Sequence, residues 1–143
     1  MLEPTLALQT AIRAVLIAAP EVLALVPADH IRAGSVRPEN FPTIILTGGQ
    51  TQFLGWAAGD QACARVYLDA HIWAVEDGAD TARAIGMAVL KALALPPQMA
   101  AQAQRFSIDE WAKPGTIWLR DPQPELSYTH GVMSLEAAVR WAL

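Results

Sequence analysis

The segment Gln61–Ala74 constrains this chain more than any other. Ala62, Ala64, Val66, Leu68, Ala70, Ile72 and Ala74 fall on one parity, and Gln61, Arg65, Tyr67, Asp69 and His71 fall on the other. Side chains of a strand alternate between the faces of its sheet, so the pattern predicts a long strand with one buried and one polar face. Cys63 and Trp73 share the polar parity. A tryptophan there is out of keeping with an otherwise regular pattern.

The other elements arrange themselves around that strand. Leu8, Ile12, Val15, Leu16 and Ala19 recur at helical spacing and predict a helix over about 6–19, with Thr5 as N-cap and Pro20 as its stop. A short turn, Glu21–Val26, follows. Residues 28–42 read as loop, with Ile31 and Val36 pairing as a local edge strand. Thr43–Thr47 reads as a buried strand between Pro42 and Gly48-Gly49. Residues 48–60 then read as a long turn, carrying Gly48, Gly49, Gly55 and Gly59 together with Phe53, Leu54 and Trp56. Ala82, Ile85, Gly86, Val89, Leu90 and Leu93 line one face of a second helix over about 78–95, with acids in its first turn and Lys91 near its end. Strands are predicted at Arg105–Asp109 and at Thr116–Arg120. Residues 133–142 fit both periods: Tyr128, Thr129 and Val139 favour strand, the alanines favour helix, and strand is the reading adopted. The sum is an α+β fold, an antiparallel β-sheet with two main helices packed on one face and a long inter-strand loop, in a single domain over 1–143. Its core should hold Leu16, Ile44, Val66, Leu68, Ile72, Ile85 and Val89.

Composition narrows the function. With 53% apolar and 17% charged residues, 143 residues suffice for a real core without staples. One cysteine excludes an internal disulfide framework. A formal charge of −4 argues against a freely acting nucleic-acid binder. Arg13, Pro20 and Glu21 interrupt the most apolar stretch, Leu6–Val26, so no membrane span is expected there. Glu3 and Pro4 do not resemble a signal peptide, and the expected compartment is the cytoplasm.

Catalytic chemistry is hard to assemble. His30, His71 and His130 have no metal-ligand spacing. Cys63 and His71 lie roughly 26 Å apart at about 3.3 Å per residue, too far for a nucleophile and its base. Gly48-Gly49 lacks a phosphate-binding motif, and Asp77 and Asp80 are explained by the start of a helix. Asp69 and His71 could share a cleft in a small α+β enzyme or ligand-binding domain, but a solvated or interfacial sheet face explains them better. No cofactor or metal is implied. Apolar groups without an obvious place in the core point instead to association. Phe53, Leu54 and Trp56 are the candidate anchors, Arg32 and Arg37 a candidate polar rim, and Tyr67, Asp69, His71 and Trp73 a second candidate face.

Five strings, taken in order, resemble the tail-completion, or tail-terminator, family of long-tailed phages and gene transfer agents. They are Ala7–Leu16 with the following His30-Ile31-Arg32, Phe41–Leu46, Leu68–Trp73, Trp118–Pro122 and Thr129–Met133. Residues 122–127 depart from that family's tight glycine turn, and Ser134–Ala137 lacks its usual arginine and aromatic residues. The resemblance implies a structural protein without catalysis. It implies a ring, typically a hexamer, that caps the tail tube, stops its polymerisation and offers the head-joining surface. The implied partners are further copies of the chain, the tail tube protein and a head-completion or stopper protein. DNA would pass through the lumen without specific binding, and no membrane is involved. The implied location is a virion tail or phage-like particle assembled in the host cytoplasm. Another head–tail adaptor or a minor tail protein is the nearest alternative.

Overall fold

The computed structural model describes residues 3–35, 37–77, 80–99 and 106–142. Helix α1 (Pro4–Ile17) begins two residues earlier than Thr5 would set it. Pro4 has no N–H to satisfy and a φ already suited to a first turn, so the cap falls to Glu3. The Glu3 carboxylate accepts from the backbone N–H groups of Thr5 and Leu6 at 2.9 and 3.2 Å. Helix α2 (Pro20–Leu23) and a 3₁₀ turn (Ala28–His30) lead into strand β1 (Ile31–Ala33). Val36, read with Ile31 as edge strand, and Arg105, read as the start of a strand, lie outside the described residues.

Strands β2 (Thr43–Ala57) and β3 (Gln61–Val75) form a long hairpin, followed by helix α3 (Asp80–Ala92). Strands β4 (Phe106–Trp111), β5 (Gly115–Pro122) and β6 (Ser127–Ala142) complete the chain. The sheet runs β1-β2-β3-β6, and both β4 and β5 lie on the far side of β6. β5 pairs with the first half of β6 and β4 with its end, so they form one edge interrupted between Trp111 and Gly115. The β1–β2 pair is parallel and the others antiparallel, which makes the sheet mixed where an antiparallel one is expected. The connection through Pro42 returns the chain to the end of the sheet where β1 starts.

The α+β class and the placement of the helices agree with the sequence reading. Leu16 of α1 and Ile85 and Val89 of α3 join Ile44, Val66, Leu68 and Ile72 in one buried cluster on one face of the sheet. The C-terminal segment is strand along its whole length, paired with β3 from Gln61↔Ala142 to Val75↔Tyr128. Long-range pairing there overrides the helical preference of the alanines.

The long inter-strand loop is corrected. β2 runs to Ala57, and the turn is only Ala58–Asp60, where Gly59 (φ 77°) and Asp60 (φ 55°) take left-handed conformations. Of the glycines that suggested a loop, Gly48, Gly49 and Gly55 instead sit at two irregularities in the ladder, between Gly48 and Gln50 and between Phe53 and Gly55. A Cβ at Gly49 would lie 2.9 Å from the Tyr67 carbonyl oxygen, so glycine there permits a close backbone approach.

Candidate functional site: an assembly interface

β2 changes character along its length. Thr43–Leu46 are buried, whereas Gly48–Leu54 are exposed. β1 ends opposite Leu46, so among the described residues the outer edge of β2 is unpaired from Thr47 onward. An unpaired strand edge leaves its backbone N–H and C=O groups open to pairing with another chain. Phe53 is 56% exposed, Leu54 50% and Trp56 67%.

Three positions apart on a regular strand, Phe53 and Trp56 would face opposite sides. The bulge at Leu54 re-phases the strand, pairing Phe53 with Ala64 and Trp56 with Ala62, both on the helix-side face. Their rings meet edge to face with centroids 5.7 Å apart. Ala62 and Ala64 are small and buried, which leaves the aromatic pair standing proud of the sheet. The side chains of Thr51, Thr5 and Glu3 are hydrogen-bonded together, tying this arm to the start of α1.

The other face of the sheet carries the polar parity of β3. Arg65 pairs with Glu110 at 3.3 Å and Glu136 at 3.8 Å, and Arg140 pairs with Asp109 at 3.0 Å. His71 does not hydrogen-bond to Asp69. Its Nε2 meets the Thr47 hydroxyl at 3.2 Å, and its Nδ1 shares a hydrogen bond of 2.8 Å with His130 Nε2. Burial holds His71 below the ordinary histidine value, with the charge of Asp69 acting against it. His130 is lowered by burial and by the nearby His71, with Asp121 opposing. The pair is a neutral bridge across β3 and β6 rather than an activated base. Trp73 is only 6% exposed and stacks on His130 at 3.8 Å, so it adds no apolar surface to this face. Burial against the His130 ring explains a tryptophan on the polar parity. Tyr67 and Asp69 are half-buried on the same face, opposite Glu136 and Ser134 of β6.

Within one chain Arg32 and Arg37 lie at the far end of the sheet from the aromatic arm. Arg32 is opposite Ile45, roughly 25 Å from Phe53 along β2 at about 3.3 Å per residue. Its guanidinium donates to the carbonyls of Ser35 and Arg37, both at 3.1 Å, and organises its own loop. Arg37 lines a cavity of about 480 Å³ with Phe41, Pro124, Leu126 and Tyr128 at that end of the molecule. The nine candidates therefore occupy three places: the arm (Phe53, Leu54, Trp56), the open face (Tyr67, Asp69, His71, with Trp73 buried beneath), and the Arg32–Arg37 loop.

Strand β5 adds two exposed apolar residues to the candidates read from the sequence. Ile117 is 65% exposed and Leu119 47%, both on β5. Register places Ile117 beside Val132 and Leu119 beside His130, on the open face. The signal was present: Thr116–Arg120 carries large apolar groups on both parities, which a strand with one buried face does not require.

Among the described residues no group of three or more His, Cys, Asp or Glu side chains is placed to hold a metal ion, and no helix is long and apolar enough to cross a membrane. The sequence pattern of the family described as tail completion protein gp17 matches residues 10–140. No curated protein matches the chain in sequence. Among solved structures, a chain of the virion of a native gene transfer agent particle is similar at TM-score 0.62 and 17% identity, over 94% of this chain and 95% of that one. The gp17 protein of bacteriophage SPP1 is similar at TM-score 0.55 and 16% identity, over 93% and 88%.

Proposed function

This chain belongs to the tail completion protein gp17 family, whose members are virion structural proteins rather than enzymes, and from that premise we propose that it closes the tail tube as a ring. The ring, of six copies as the family resemblance implies, ends polymerisation of the tube and presents the surface to which the head joins. The exposed aromatic pair on the β2–β3 arm carries this reading. A monomer gains nothing by holding Phe53 and Trp56 in water, whereas a subunit of a ring uses such groups to contact its neighbour or the tube. Fully desolvated aromatic anchors contribute about 2 kcal/mol or more each at an interface.

DNA then crosses the lumen without specific binding. A chain of formal charge −4 whose Arg65 and Arg140 on the open face are already paired with carboxylates suits passage better than retention. The whole of 1–143 acts as one domain in this reading.

The test is the double substitution Phe53→Ser and Trp56→Ser. Both positions are exposed, so the monomer should keep its fold and unfold within about 1 kcal/mol of the parent. Ring formation or tube capping should be lost. Normal rings and normal tails from this variant would remove the arm from the interface.

A further inference from the structure

We infer that the aromatic arm of one copy docks on the Ile117–Leu119 strip of the next copy, an inference that rests on the ring reading above. The two surfaces sit at opposite corners of the sheet. The arm lies on the β2 edge near the hairpin turn. The strip lies on the β5 edge, level with His71 and Trp73 of β3. Nine residues of β3 separate the level of Trp56 from that of Ile117, roughly 30 Å at about 3.3 Å per residue, so the arm cannot reach the strip of its own chain.

They also lie on opposite faces. Phe53 and Trp56 share the helix-side face with Ala64 and Ala62. Trp118 points to that same side, where a Cβ on Gly86 of α3 would meet its ring at 2.8 Å, so Ile117 and Leu119 point away from the helices. A two-fold dimer would require the partner to lie on the helix side at one corner and on the open side at the other. A rigid plate cannot do both, and only head-to-tail overlap, repeated around an axis, satisfies each copy's arm and strip.

Charge distinguishes a second copy from other occupants. Between Thr47 and Ala64 the only charged residue is Asp60, at the tip of the arm. Between Lys113 and Arg120 the only charged residues are those two cations, and Arg120 falls with Trp118 on the helix side, away from Ile117 and Leu119. Arg120 already has Glu76 at 3.0 Å, whereas Lys113 makes no ion pair among the described residues. An acidic tip meeting Lys113 fixes the direction of docking.

Leu54→Cys and Ile117→Cys, placed together in full-length protein carrying Cys63→Ser, test the contact under a mild oxidant. The expected result is a ladder of disulfide-linked multimers that converges on one closed species. Equal mixing of the two single variants should stop at dimers, and Lys113→Glu should lower the yield several-fold at low salt but little at high salt. Rings seen by native mass spectrometry without Leu54–Ile117 linkage would overturn the docking and leave the ring reading standing. Absence of both linkage and rings, in free protein and in tube-bound samples alike, would overturn the two together.

Discussion

At the residue scale, two glycines decide where Trp118 lies. A Cβ on Gly131 would meet the indole at 2.5 Å and one on Gly86 at 2.8 Å, so the ring fills the space both side chains vacate. Arg83 lies over the same ring, 5.3 Å from its centroid. Gly131→Ala should cost about 1–3 kcal/mol as overpacking, read from chemical unfolding. Adding it to Trp118→Leu should cost far less than it does alone, because the clash has gone. A loss below about half a kcal/mol in the single variant would contradict this packing. The histidine bridge makes a separate prediction. His71 and His130 both have folded values below the ordinary one of about 6.5. Falling pH therefore protonates the unfolded chain first, and stability, complete above about 6.5, drops until the folded values are reached. Unfolding free energies at pH 7.5 and 6.5 should be close and that at pH 5.5 clearly lower, and His130→Gln should flatten the fall. An unchanged slope in that variant would place the titration elsewhere.

At the element scale, what was legible depended on whether a segment's pattern and its neighbours agreed. β3 was readable because one face packs under helices and the other stays half-open, which writes a clean period of two. α1 and α3 were readable from their apolar faces. The far half of β2 was not, because both of its faces are largely exposed and no period is imposed on it. Its glycines, ordinarily loop residues, serve bulges. The C-terminal strand was ambiguous because alanine fits either state, and only pairing with β3 decides it. Leu68 and Ile85 face each other's layer across the core. Alanine at either should cost about 2–5 kcal/mol in equilibrium unfolding. A loss under about half a kcal/mol at both would mean that the helices do not lie on this face.

At the scale of the whole molecule, the arm anchors were visible in the sequence as apolar residues among glycines, but their geometry was not. Nothing in the string Phe53-Leu54-Gly55-Trp56 says that a bulge turns its aromatic ends to one side. Arg32 and Arg37 were near the arm only in sequence order, and a long strand carries them to the other end of the sheet. Ile117 and Leu119 are hard to place from sequence because a short strand with apolar groups on both parities is also what a fully buried strand carries. What emerges is a plate with apolar groups at opposite corners and on opposite faces, a shape suited to a closed ring. Tail length in particles that lack this protein tests the ring most directly. Electron microscopy should reveal tubes of uncontrolled, excessive length or tails without heads; tails of normal length joined to heads would contradict the account.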